Sequence, residues 1–256
     1  MKPVRQALIL AGGEGTRLAP LGEYLPKCLA TVYNRPLIDY PLCLLETASV
    51  SDVYIAVSQR HHSVVSASIR LLKRHIRIHL LDEKRPTGIR ALFEAARRMP
   101  PEPFWFVLGD IYFGSERLEP AMLAQGVEAV LFSHVFEDPK RLSAETANLV
   151  CDGQTILAVR DKPRPEEVEG SLGWNAMGLV HPDFLARERT IFEWLAGSRQ
   201  NPAIGDLFSA AVALGATMRV LPGPGGAWIN VNSPDQLLKA ACVEQLKYLK
   251  GRAFPD

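Results

Sequence analysis

A short apolar run that opens directly into a glycine-rich turn restricts this chain more than any other feature. Residues 6–11 read Gln-Ala-Leu-Ile-Leu-Ala and are followed by Gly12-Gly13-Glu14-Gly15-Thr16-Arg17-Leu18. A continuous apolar run of that length between turn signals suits a buried parallel strand, and a strand leading through glycines is how an α/β unit begins. Glycines let the backbone approach an anion and turn its N–H groups toward it. Arg17 adds a permanent planar charge that can grip phosphate oxygens in pairs. Two common phosphate loops are excluded by spelling: a Walker A loop needs Gly-Lys-Ser/Thr, and a dinucleotide fingerprint needs a glycine where Leu18 stands.

Periodicity beyond the turn predicts a helix over 36–48, with Pro36 in its first turn where a missing N–H costs little. It further predicts strands at 53–57, 76–81 and 104–108, the last ending at Gly109-Asp110, with helices at 63–73 and 89–98 between them. Such alternation implies a parallel sheet covered by helices on both faces. After about residue 115 the rhythm loosens. Strands are expected at 129–135, 148–151, 156–160, 176–180 and 227–231, and helices at 204–214 and 234–249. The expected fold class is α/β, a Rossmann-like, mostly parallel sheet with a distinct C-terminal part, all within a single domain spanning 1–256.

The formal charge is +1, from 29 basic and 28 acidic residues. That balance gives no general electrostatic grip on nucleic acid or membrane, so any anion site is local. Cys28, Cys43, Cys151 and Cys242 stand too far apart in sequence for a metal motif, which implies reduced thiols. The apolar run at 7–11 is too short for a signal sequence, and no stretch has the length of a transmembrane helix; a cytoplasmic location is expected. None of the six histidines falls into a zinc spacing.

The glycine turn continues as Ala19-Pro20-Leu21, then Pro26-Lys27 and Asn34-Arg35-Pro36-Leu37-Ile38. In this order the segments resemble the signature of sugar-1-phosphate nucleotidyltransferases, and the resemblance extends from about residue 6 to 249. It implies transfer of a nucleoside monophosphate from an NTP to a sugar 1-phosphate with Mg²⁺, by an NTP-binding half (about 1–115) and an acceptor-binding half (about 116–256). NTP contacts are then expected from Leu10, Ala11, Gly12, Gly13, Gly15 and Thr16. Asp110, at the end of an apolar strand, takes the place of the family's metal carboxylate. Arg17, Lys27 and Asp110 are the implied catalytic set, with Arg17 on the departing pyrophosphate and Lys27 on the α-phosphate.

Further correspondences are weaker in spelling. Asp161-Lys162-Pro163 resembles the family's Glu-Lys-Pro segment, which implies Asp161 on sugar hydroxyls and Lys162 on the acceptor phosphate. Asn175 and Asn148 are implied sugar contacts, although Ala147-Asn148 replaces a usual glycine. Asn230 stands where many members carry a second metal aspartate, so Asn230 and Asn232 are both candidate Mg²⁺ ligands without negative charge. Gly22 stands where a threonine is usual. Residues 81–88 resemble the base-binding loop, with Gly88 near the ring and Glu83 where thymidylyl- and uridylyltransferases have glutamine. A carboxylate only accepts hydrogen bonds, which suits the adjacent N1–H and N2 amino donors of guanine; alternatively Glu83 belongs to a solvated charge run with Lys84 and Arg85. A non-catalytic nucleotide-sugar sensor of the same fold and, more remotely, a nicotinamide-dependent oxidoreductase stay open, as does a homo-oligomer.

Overall fold

In the computed structural model, the described residues are 3–13, 15–83, 88–115, 117–197 and 202–251. The first strand, β1 (Gln6–Leu10), is buried on both sides. A short helix α1 (Leu21–Tyr24) follows the glycine turn, then a two-stranded ribbon of β2 (Thr31–Val32) and β3 (Arg35–Pro36). Pro36 is therefore not in a helix, as its spacing had suggested. It pairs with Thr31 at a ribbon edge, where proline's missing donor is tolerated, and α2 begins only at Asp39 (Asp39–Thr47). The next units are β4 (Asp52–Ser58), α3 (His62–Arg70), β5 (Arg77–Glu83), α4 (Gly88–Ala96), β6 (Phe104–Leu108) and β7 (Ile111–Phe113).

The second half runs β8 (Ala129–Val135), α5 (Pro139–Glu145), β9 (Asn148–Asp152), β10 (Thr155–Arg160) and β11 (Leu172–Val180). It closes with α6 (Pro182–Leu185), α7 (Glu188–Ala196), α8 (Ile204–Ala213), β12 (Met218–Pro222), β13 (Trp228–Asn230) and α9 (Pro234–Gly251). Of the elements the periodicity did not mark, α5 is capped by Asp138, whose carboxylate accepts from the Lys140 N–H at 2.9 Å.

Nine strands form one sheet in the order β5-β4-β1-β6-β11-β8-β12-β10-β9. The fold is α/β, and the sheet is mixed: β5, β4, β1 and β6 are parallel, whereas β11 joins antiparallel to both β6 and β8. β11 is bulged between Trp174 and Gly178, with Ala176 at φ 65°. A bulge bends and twists its strand; here β11 also reaches β9, where Gly173 pairs with Asn148. The last five strands thus curl back on themselves.

Alternation along β1 sends Ala7 and Ile9 into one apolar layer with α2 and α3, and Leu8 into the other with α4 and α8. Each fully buried Leu, Ile or Phe contributes about 1.5–3 kcal/mol. A third, smaller cluster matters most for the site. Leu18, Val32, Leu37, Tyr40, Tyr112, Ile229, Val231 and Ala240 pack together, binding the end of the glycine turn, β2, β7, β13 and α9 into one block. Inside it the Tyr112 hydroxyl donates to Glu244 at 2.7 Å.

Candidate active site

β1 and β6 are paired from Gln6–Phe104 to Leu10–Leu108, so the glycine turn and Gly109-Asp110 emerge side by side at the carboxyl ends of adjacent parallel strands. Ligands of open α/β sheets bind at that edge. A Cβ on Gly109 would lie 3.0 Å from both Ala11 Cβ and Leu10 O, so its absence lets the two strand ends lie close. Gly15 is left-handed at φ 68°, and Lys27 packs over it. Gly22, a departure from the family pattern, has a physical cause: a Cβ there would meet Gly15 O at 2.2 Å.

Four predicted residues meet through hydrogen bonds. Lys27, only 8 % exposed, donates from Nζ to Asp110 Oδ2 and to Asn232 Oδ1, each at 2.6 Å. Arg17, exposed in the short turn Thr16–Leu18, donates to the same Asn232 Oδ1 at 2.9 Å. The other carboxylate oxygen, Asp110 Oδ1, is buried without a hydrogen-bond partner, and so is Asn230 Oδ1. Asn230 pairs with Ile111, the residue after Asp110, and its amide donates to Glu145 O at 3.2 Å. Among the described residues no cluster of three or more His, Cys, Asp or Glu could hold a metal. A carboxylate and an amide oxygen, both buried and unpartnered, are hard donors that fit a Mg²⁺ completing its shell with water and phosphate.

The other candidates take no part in these hydrogen bonds. Glu83 ends β5, two strands from β1 and hence about 10 Å away at ordinary strand spacing. It is 6 % exposed, which rules out the solvated charge run; its neighbour Asp82 is exposed and binds His62. Glu83 Oε1 has no partner, and burial, aided by Glu94, pushes its pKa up to about 7. Gly88 is exposed at the start of α4, while Glu14, Lys84 and Arg85 lie outside the described residues.

Asn175 is buried near the Gly109 end of β6, since Met177 pairs with Val107. Its Oδ1 accepts from the Met177 N–H and its backbone carbonyl from Trp228 Nε1. Asn148 is not placed as a sugar contact. It is 0 % exposed, its amide donates to Glu169 O and Leu172 O, and its Oδ1 accepts from Glu169 N–H. Those bonds consume the side chain in holding the segment that enters β11. Asp161 packs against Gly205 at the start of α8. Together with exposed Lys162 at φ 42° it lines a cavity of about 770 Å³ with Trp194 and Ser209, whose lining includes neither Lys27 nor Asp110.

One residue escaped the sequence reading. Gln236 Oε1 accepts from the Asn232 N–H at 2.7 Å, and the Gln236 N–H donates to Ser233 Oγ at 3.3 Å. Ser-Pro-Asp-Gln has capping-box spacing, a signal sufficient to have found it.

The parallel part of the sheet, whose carboxyl edge presents a glycine turn, two converging cations and a half-free carboxylate, has the arrangement of an α/β enzyme that handles phosphates. A family model described as Nucleotidyl transferase matches residues 6–245. The chain is 30% identical to glucose-1-phosphate thymidylyltransferase of Xanthomonas campestris, over 96% of this chain and 83% of that protein. It is 36% identical over 110 residues to mannose-1-phosphate guanyltransferase of Aspergillus fumigatus, covering 41% of this chain and 30% of that one. The solved inositol-1-phosphate CTP transferase from T. maritima shares the fold with a TM-score of 0.77 at 17% identity, over 96% and 97% of the two chains. The protein belongs to the nucleotidyl transferase family and is an enzyme of the sugar-1-phosphate nucleotidyltransferase type. No described helix is long and apolar enough to cross a membrane.

Proposed function

We propose that this enzyme couples GTP to a sugar 1-phosphate, releasing pyrophosphate, with Mg²⁺ at Asp110. The carrying observation is Lys27 Nζ, held 2.6 Å from both Asp110 Oδ2 and Asn232 Oδ1 while Asp110 Oδ1 stays unpartnered. The parallel half would hold the nucleotide and the curled second half the acceptor.

An oxygen of the acceptor phosphate attacks the α-phosphorus, and the bond from that phosphorus to the bridging oxygen of pyrophosphate breaks. Both reactants are anions; two unit charges about 4 Å apart repel by roughly 4 kcal/mol at an effective dielectric of about 20. Mg²⁺, bound by Asp110 and the amide oxygen of Asn230, would supply positive charge shared among the phosphates. Lys27 holds the α-phosphate and Arg17 the leaving pyrophosphate, while Lys162 is the cation proposed for the acceptor phosphate. The acceptor arrives ionised, so no protein base is required; the protein contributes position and preorganised charge.

Guanine is favoured through Glu83. Its buried Oε1 is unpartnered and needs a donor, and guanine presents two side by side to a carboxylate, the N1–H and the N2 amino group. A carboxylate facing the O4 of thymine or uracil would leave acceptor against acceptor, a mismatch of about 1–3 kcal/mol. The test is pyrophosphate release with each of the four common NTPs against a panel of sugar 1-phosphates, with and without EDTA. GTP should be used best. Release unaffected by metal removal would overturn the Mg²⁺ role, and preference for dTTP would overturn the role of Glu83.

A further inference from the structure

Lys27 does two things that conflict. Its ammonium neutralises Asp110 at 2.6 Å, yet the proposed reaction needs it on a phosphate and needs Asp110 free for a metal. The surroundings resolve the conflict. Only one carboxylate oxygen is taken, since Asp110 Oδ1 is buried and unpartnered. Lys27 also has a second acceptor, Asn232 Oδ1, which it shares with Arg17. Asn232 is itself held in place, its N–H bonded to Gln236 and the adjoining Val231 N–H to Asp110 O at 3.0 Å. Its oxygen already accepts from two cations, so it is a poor candidate for the metal ligand it was expected to be.

We propose that Lys27 is the resident counter-cation of Asp110, that it vacates the carboxylate when a divalent ion binds there, and that Asn232 is the positioning residue that keeps Lys27 and Arg17 within reach of the phosphates. This rests on the reading of Asp110 as the metal carboxylate. Asp110 is only partly buried, its side chain 31% exposed, but its Oδ1 is out of contact with solvent. A carboxylate so desolvated is less favourable without a counter-charge, so a resident cation lets the apo site persist and is exchanged for the metal on loading. Metal affinity and phosphate affinity are then linked: the ion that occupies Asp110 also releases Lys27.

The experiment titrates Mn²⁺ alone into the full-length protein without nucleotide, read by the paramagnetic signal of the free ion. Removing a competitor should tighten binding, so Lys27→Met should bind Mn²⁺ on the order of tenfold more tightly than wild type. The same variant should turn over more slowly, and a purely structural defect would not produce that opposition. Lys27→Gln keeps a neutral donor for Asp110 and should fall between, which preserves the test should the methionine variant fold poorly. Arg17→Gln removes an equal charge that does not touch Asp110 and should gain less than about threefold. Asp110→Asn should abolish binding. Equal or weaker Mn²⁺ affinity in both Lys27 variants, or equal gains from Lys27→Met and Arg17→Gln, would overturn the proposal. Pyrophosphate release by the wild type tests the underlying reaction separately, because the titration involves no turnover.

Discussion

Gly22 lies against the carbonyl of Gly15, so close that a β-carbon at Gly22 would come within 2.2 Å of that oxygen. The contact ties α1 to the back of the glycine turn, and it leaves no room for the side chain common at this place in the family. Gly22→Ala should therefore displace backbone rather than a flexible tip. Such overpacking costs about 1–3 kcal/mol, and the displaced turn carries Arg17. Thermal unfolding should show the loss, with KM for the nucleotide raised; an alanine variant with wild-type Tm and KM would show that the turn yields without cost.

Asn148 should matter for stability rather than for substrate binding. Three hydrogen bonds to the Glu169–Leu172 segment are lost in Asn148→Ala, and because these partners are only part-buried each loss costs about 1 kcal/mol, the low end of the range for unsatisfied groups. Denaturant unfolding should show a marked drop in midpoint, while KM for the sugar 1-phosphate in the remaining folded enzyme changes little. A variant of normal stability with a raised KM would return Asn148 to the sugar site.

Asp110→Asn keeps the shape of the side chain and removes its charge. Turnover should fall on the order of 10² or more, as when a preorganised electrostatic group is lost. Asn230→Asp adds charge at the neighbouring unpartnered oxygen and should lower the Mg²⁺ concentration needed for half-maximal rate. An unchanged Mg²⁺ titration would remove Asn230 from the metal's surroundings.

If Glu83 reads the base as proposed, base choice should depend on pH. Burial raises its pKa from the ordinary 4.5 to about 7. Above that value the carboxylate would accept two donors and favour GTP. Below it the acid offers one donor and one acceptor, the pattern of a glutamine amide, and discrimination against dTTP and UTP should narrow. The kcat/KM ratio of GTP to dTTP should thus rise from pH 6 to pH 8 in wild type and be low and flat in Glu83→Gln. Stability carries the same sign: the folded protein holds this proton more tightly than the unfolded chain, so the penalty for ionising Glu83 grows as pH rises from 4.5 to about 7. Glu83→Gln should lack that decline. A wild-type GTP:dTTP ratio independent of pH would separate Glu83 from base recognition.

What the sequence determined by itself was local and periodic. The strand expected at 6–11, the glycine turn after it, the apolar strand at 104–108 with Asp110 beyond, and the helices expected at 204–214 and 234–249 follow from apolar spacing and turn residues, which act over a few neighbours, and the fold forms them within two residues of those bounds. The motif order then named Arg17, Lys27 and Asp110. Pro36 was misplaced in a helix because the two-residue pairing that holds it in β3 carries no periodic signal.

Only the tertiary structure decided what the asparagines do, since an amide can both donate and accept and takes its role from whatever lies beside it. Asn232 receives Arg17 and Lys27, Asn230 keeps an unpartnered oxygen on the strand beside β7, and Asn148 is spent closing the second half of the sheet. Glu83 likewise sits within a charged run in sequence, yet the fold buries it without a partner for Oε1. Charge pattern is written along the chain, whereas desolvation depends on packing between segments far apart in it.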